Sequence, residues 1–469
     1  MQKNERSLML RTLPMRTLVP KVSVPIMVSM IVQAMYNVVD SIFVSRFDPD
    51  ALTAVSLAYP FQMLMISLSV GMGTGISSLI SRKLGEGARQ EARQAAWNGL
   101  LIEACGSLFF VLLGALLAPT LMGLVVTENL QNHEKIFDLG VNYLTIVTCA
   151  SMGLFMSVLM ERMLQSTGNT VFSMATQLSG ALTNIILDPI LIFGYLGAPA
   201  MGVTGAAVAT VIGQFVAASV GFTLNQIKNR ELTLRVRDCR IRKKILFAIF
   251  AVGLPSTVMS AIGSVMNVGM NALLADFPEG NAAVNVLNVY FKLQSFIFMP
   301  VFGLGTGMIA IVGYNYGARL KKRVFEAIRV ALIYAVAILA VGTLIFQLFP
   351  EPLMSIFKSE ENNAIAVQMT VLGVRALRTI SLCFIMAAVG ITLSNVFQAV
   401  GRGMNSMVIS ILRQLAILLP AAWLLKQAFH DVNLIWWAFP IAEFASMLIS
   451  LLLYWQLRKN VLEKMPEAE

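Results

Sequence analysis

Asp40, Glu103 and Asp188 stand inside long apolar runs of the first half of the chain. An ionisable group at mid-depth in a bilayer costs on the order of 2.5 to 3.5 kcal/mol, so each is a candidate for function. Asp40 shares a helical face with Gln33, Tyr36 and Asn37, at the spacing i, i+3, i+4, i+7 that stacks side chains on one side. Gln177, Asn184 and Asp188 form a second stripe, and Pro189 directly after the aspartate weakens the local helical ladder. A pair of carboxylates withdrawn from water takes up a proton, or in its charged form attracts a sodium ion or an organic cation. Proton and cation exclude one another at such a site, which is antiport in its simplest form. Tyr36 and Phe61 offer rings on which a flat cation could stack, although packing is the commoner use of such rings.

These residues need membrane helices to hold them. The 469 residues are 57% apolar and 13% charged, against a charged fraction near ~25% in soluble domains. At roughly 20 apolar residues per span the chain supplies about a dozen spans, which leaves no room for a large soluble catalytic or nucleotide-binding domain. Apolar runs between polar breaks predict twelve helices, over 17–45, 51–81, 94–125, 137–164, 170–195, 201–227, 244–274, 281–315, 324–349, 364–399, 404–426 and 432–457. The first of these reads as a retained span rather than a cleaved signal peptide. Of the 35 Lys and Arg, 24 fall in the termini and in the loops on their side, and four (Arg46, Lys135, Lys358 and Lys426) on the other. That asymmetry predicts cytoplasmic termini in a multi-pass plasma-membrane protein and explains the net charge of +10 without nucleic acid.

The second half repeats landmarks of the first at an offset of 230 to 233. Pro25 matches Pro255, Gly71-Met-Gly-Thr-Gly75 matches Gly303-Leu-Gly-Thr-Gly307, Gly85 matches Gly317, Gln165 matches Gln398, and Pro189 matches Pro420. Six spans separate the copies, so both enter the membrane in the same direction. The expected fold is an all-α polytopic membrane protein with two six-helix lobes related by a pseudo-twofold along the membrane normal. The lobes take in 1–227 and 244–469, joined by a cytoplasmic linker loop, 228–243. The glycine strings lie inside apolar helices and read as close helix packing, not as phosphate loops.

The acids of the first half have no counterparts, since Asp40 aligns with Met270 and Asp188 with Leu419. The second half instead carries Lys292, Arg375, Arg378 and Arg413 against the single Glu443, with Arg413 and Glu443 expected to pair. Glu103 and the Glu161-Arg162 pair are expected to snorkel or pair locally near the cytoplasmic ends. The 28 methionines suit core filling and an adaptable cavity. Four scattered cysteines suggest neither disulfides nor a zinc site, and His133 and His430 lie in outer loops with no HExxH or GxSxG, so an enzyme is not expected.

Tyr36-Asn-Val-Val-Asp40, Gly71-Met-Gly-Thr-Gly75, Gln165-Ser-Thr-Gly168-Asn, Asn184-Ile-Ile-Leu-Asp188-Pro189 and Met201-Gly-Val-Thr-Gly-Ala-Ala-Val-Ala-Thr210 together resemble the multidrug and toxic compound extrusion (MATE) transporters. The resemblance implies two V-shaped lobes and export of drugs or organic cations in exchange for H+ or Na+, with no cofactor. It is strongest to the prokaryotic branch whose ion site lies in the N-terminal lobe. On that branch's pattern Asp40, Asp188 and Asn184 bind the coupling ion, Thr210 adds a ligand, and Pro25 bends the first helix. Any Na+ would sit at Asp40, Asn184 and Asp188, while Gln33, Tyr36, Asn37 and Gln177 line the substrate cavity, and Pro25 and Pro189 serve as hinges. The acids that another branch carries in its seventh and tenth helices are absent here. A monomer in the lipid bilayer is expected. The alternative function is a flippase for a lipid-linked saccharide or related amphiphile, whose pyrophosphate the cationic second half would hold.

Overall fold

The computed structural model describes residues 7–126, 132–234, 238–357 and 364–466. Lys3, Arg6, Arg235, Arg237 and Lys358, all counted in the charge asymmetry, lie outside these residues. The described residues are helical with no strand. Ten helices are long and apolar enough to span a membrane: α1 (Met15–Phe47), α2 (Pro49–Gly85), α3 (Arg89–Val125), α5 (Thr170–Phe193), α6 (Val203–Lys228), α7 (Lys243–Ala275), α8 (Gly280–Gly317), α9 (Lys321–Leu348), α11 (Gly403–Phe429) and α12 (Val432–Leu462). The other two spans are bent pairs. His133–Cys149 and Met152–Ser166 make α4, with a 46° bend, and Ala364–Ser381 and Phe384–Ala399 make α10, with a 51° bend.

The two bends occupy equivalent places in the repeat, Ala150-Ser151 and Leu382-Cys383, and neither holds a proline. Beside each, a hydroxyl turns back onto the helix. Thr148 Oγ1 donates to Leu144 O at 2.6 Å and Ser381 Oγ to Arg378 O at 3.1 Å, an arrangement that competes with the backbone ladder and bends helices. By contrast α1 runs unbroken through Pro25 and α5 through Pro189. A second irregularity is a π-helical turn, Leu412–Ile417, inside α11.

The lobes touch through α1, α2, α7 and α8, and the glycine strings make the contact. A Cβ at Gly71 would lie 2.6 Å from Thr257 Cα, and one at Gly303 would lie 2.7 Å from Met27 Cα. Likewise a Cβ at Gly75 would meet Gly253, and one at Gly307 would meet Ser23. Each pair maps onto the other through the repeat offset, so the pseudo-twofold passes between α2 and α8. Gly85 against Tyr314 and Gly317 against Arg82 continue the same crossing toward the chain termini.

The termini lie at that end. Asn315 Nδ2 donates to Leu10 O at 3.1 Å, Arg323 Nη2 to Leu13 O at 2.8 Å and Lys321 Nζ to Glu463 O at 3.0 Å. There α2 is buried on every side from Gly71 to Ser81, and α8 from Gly307 to Asn315. Farther from the termini the same helices expose one face, with Tyr59, Pro60 and Leu64 on α2 and Asn281, Asn285, Asn288 and Lys292 on α8. The lobes therefore diverge into a cleft that opens away from the termini. At the open end Lys135 bridges Asp48 (2.5 Å) and Asp50 (2.9 Å), tying the α1–α2 turn to α4. The hydrogen bond from Lys135 holds the Asp48 carboxyl below the usual carboxylate range.

A Cβ built at Gly307 lies 3.3 Å from Ser23 Cβ, near the spacing of a disulfide. In a background without the four native cysteines, Ser23→Cys with Gly307→Cys is expected to cross-link under mild oxidant and hold the cleft open, which a gel-shift after cleavage in the 228–243 loop reads directly. A pair that stays reduced would contradict this crossing.

Candidate functional site

The two polar stripes meet inside the first lobe. Gln177 Nε2 on α5 donates to Gln33 Oε1 on α1 at 2.7 Å. Two turns farther along α5, Asn184 Nδ2 donates to Oδ1 of Asp188, one turn beyond it, at 3.2 Å and to Thr210 Oγ1 on α6 at 3.3 Å. Small residues bring α5 and α6 that close, since a Cβ at Gly180 would lie 2.9 Å from both Gly213 O and Ala217 Cβ, and one at Gly213 would lie 3.3 Å from Asn184 Cβ. Asp188 is fully buried and Asn184 nearly so, while Asn37 is exposed and Gln33, Tyr36 and Asp40 are half-buried. Of the predicted site residues, the structure thus joins Gln33 to Gln177 and joins Asn184, Asp188 and Thr210. Asp40 lies within electrostatic reach of Asp188 without a direct bond to it.

Asp40 Oδ1, Asp188 Oδ2, Asn184 Oδ1 and Gln177 Oε1 are buried and accept no hydrogen bond from any described residue. Unsatisfied buried acceptors are rare and call for a partner. Here all are hard oxygens, a set that suits a proton or a monovalent cation. Among the described residues no three His, Cys, Asp or Glu gather as a metal-binding group.

Two tyrosines escape a reading of stripes because they come from other helices. Tyr143 on α4 and Tyr59 on α2 both lie within electrostatic reach of Tyr36, and Tyr143 also of Asp40 and Asp188. Tyr143 is buried and donates through its hydroxyl to Gln62 Oε1 at 3.3 Å. Tyr59 lies between Ser56 and Gln62 at i−3 and i+3 and Tyr143 among apolar neighbours at i±3 and i±4, so neither shares a face with an acid that would mark it as part of the site.

The remaining intramembrane charges divide. Arg413 Nη1 meets Glu443 Oε1 at 2.9 Å, as expected, between α11 and α12, the helices equivalent to α5 and α6. Where the first lobe sets Asn184 against Thr210, the second holds an internal ion pair. Glu103 and Arg162 pair locally rather than snorkel. Glu103 is fully buried and takes a hydrogen bond from Ser69 Oγ at 3.0 Å; Arg162, 7% exposed, donates to Gln165 Oε1 at 3.0 Å, and Gln165 Nε2 donates to Glu161 Oε1 at 2.7 Å. Glu103 turns inward to Ser69 of α2, and Arg162 to Gln165 of its own helix, so each finds locally the polar partner that the membrane surface would otherwise supply. Gly73 makes room for Arg162, whose Cγ would lie 3.0 Å from a Cβ there.

Two duplicated six-helix lobes, a cleft between them and an unsatisfied acid pair to one side define a secondary membrane transporter rather than an enzyme. The family model for MatE matches the chain twice, over residues 25–190 and 255–424, so it begins at Pro25 and again at Pro255. The chain belongs to the MatE family. It is 27% identical over 445 residues to the multidrug export protein MepA of Staphylococcus saprophyticus, spanning 94% of this chain and 93% of that protein. It is also 27% identical over 413 residues to the probable multidrug resistance protein NorM of Thermotoga maritima, spanning 87% and 85%. A solved outward-facing multidrug resistance MATE family transporter of the MOP superfamily superimposes with a TM-score of 0.89 at 24% identity, covering 99% of this chain and all of that one.

Gln177→Leu is expected to lower stability by about 1 to 3 kcal/mol, because Gln33 keeps a half-buried amide without its donor. Thermal unfolding in detergent checks this, and Gln33→Leu combined with Gln177→Leu should cost less than the two single changes added.

Proposed function

We propose that this protein exports organic cations and drugs by alternating access of its two lobes, in exchange for a proton or a sodium ion taken up by Asp40 and Asp188. The observation that carries the reading is the set of buried oxygens on Asp40, Asp188 and Asn184 that find no partner among the described residues, in a lobe that borders the cleft. Asn184 and Thr210 complete the ion's oxygen shell, and Gln33, Tyr36, Asn37 and Gln177 form the wall that a cationic substrate meets. The names of MepA and NorM, which match nearly the whole chain, support multidrug substrates.

The coupling ion is cargo. When the acid pair is charged it holds an organic cation; when a proton or Na+ arrives from outside, the pair loses that charge and the substrate leaves. The first lobe then reshapes around Pro25 and Pro189, positions where the helical ladder lacks a donor. The lobes, 1–227 and 244–469, rock about the glycine crossing, with 228–243 joining them. With cytoplasmic termini the cleft opens outward, and the protein works as a monomer in the plasma membrane.

Ethidium efflux from proteoliposomes tests the site. Asp188→Asn is expected to reduce it by at least about tenfold, and Asp40→Asn comparably, because each removes a charge that exists to be neutralised. Wild-type rates in both variants would remove the acids from the mechanism. Driving the same assay separately with a pH gradient and with a sodium gradient identifies the ion. Tyr143→Phe is expected to slow efflux less than either aspartate change while altering its dependence on pH, which a rate profile from pH 6 to 9 measures.

A further inference from the structure

The wall of the cleft opposite the acids is cationic. On α8 the exposed residues Asn281, Asn285, Asn288 and Lys292 recur at i, i+4, i+7 and i+11, one polar stripe along a membrane helix. The direction this stripe faces follows from the lobe contact. Gly303, eleven residues beyond Lys292, lies on nearly the same helical face, and it is Gly303 that abuts Met27 of α1. The stripe therefore looks across the cleft at the first lobe, not at lipid.

Depth follows from the same contact. Along α1, Asp40 lies 13 residues past Met27, and along α8, Lys292 lies 11 residues from Gly303; at 1.5 Å per residue both stand roughly 16 to 20 Å from the crossing. Carboxylate and ammonium thus occupy opposite walls at one level. Arg375 and Arg378 of α10 are exposed as well, on the far side of its 51° bend from Phe384. Among the described residues no carboxylate lies within 4 Å of Lys292, Arg375 or Arg378; the nearest recorded partner of Lys292 is the ring of Phe357, at 5.9 Å. The other deep cation of this lobe, Arg413, is already matched by Glu443.

We propose that Lys292 binds an anionic group of the substrate, so that the cleft favours amphoteric compounds whose cationic end meets the first lobe and whose carboxylate meets the second. This rests on the export reading and adds the class of substrate. An uncompensated cation in a membrane helix is costly, and the exposed asparagines of the stripe supply donors for the remaining carboxylate lone pairs. The ligand is thereby held by charge at both ends, which sets its orientation across the cleft.

The test uses two dyes that differ only at the anionic group: tetramethylrhodamine, whose xanthylium cation carries a free carboxylate, and its methyl ester. Efflux of each is measured in proteoliposomes of neutral lipid. Wild-type protein is expected to show the lower KM for the acid. In Lys292→Gln the ratio of acid KM to ester KM should rise at least about threefold, the size of a solvent-screened ion pair. Lys292→Glu should move it further, and Lys292→Arg should restore it. A ratio unchanged in Lys292→Gln, or a wild type that moves the ester and not the acid, overturns the proposal while leaving cation export standing. If wild-type protein moves neither dye, nor ethidium, the export reading fails and this proposal falls with it.

Discussion

The close backbone approach between the lobes, at Gly71 against Thr257, Gly303 against Met27, Gly85 against Tyr314 and Gly317 against Arg82, is the constraint on which the rest depends. Lipid-exposed helices have little hydrophobic reason to associate, so packing and shape must hold them together. Residues without a side chain let α2 and α8 cross the opposite lobe nearly backbone to backbone. Because the crossing lies toward the termini, the far halves of those helices are free to diverge. The cleft, its depth and the facing of its walls all follow from where these glycines fall.

Within that frame the duplication supplies symmetry and the side chains break it. Both lobes place the same helix pair at the same station, α5 with α6 and α11 with α12. One carries Asn184, Asp188 and Thr210, with buried oxygens still seeking a partner; the other carries Arg413 and Glu443, which satisfy each other at 2.9 Å. In the second lobe a guanidinium and a carboxylate on the equivalent helices satisfy each other, whereas buried acceptors of the first lobe have no partner among the described residues. The duplicated frame is therefore the same in both lobes while its polar filling differs.

Much of this was legible from residue order because a bilayer penalises polar groups so heavily. The twelve spans, the repeat and the stripes through Asp40 and Asp188 are all consequences of that penalty, and the matched glycine strings pointed to close packing before their partners were known. Other features were hidden by their nature. The bends of α4 and α10 fall at Ala150-Ser151 and Leu382-Cys383, where a hydroxyl competes with the backbone, while Pro25 and Pro189, the obvious breakers, sit in unbroken helices. Residue order left open whether Glu103 and Arg162 snorkel or pair locally, and the structure shows the pairing, Glu103 with Ser69 and Arg162 with Gln165, which also binds Glu161. Tyr59 and Tyr143 join the site from α2 and α4 without sharing a face with an acid.

The sequence by itself determined that the chain crosses a membrane twelve times, in two copies of one six-helix unit, with acids in one copy and bases in the other. Those facts are local, set by the transfer cost of each residue and by periodicity along a helix. The tertiary structure decided which acceptors remain unpaired, which glycines meet which backbone, which end the cleft opens toward, and that Asp40 and Lys292 face each other at one depth. Such relations depend on how helices distant in sequence are rotated and staggered against each other, and no single helix encodes its own rotation.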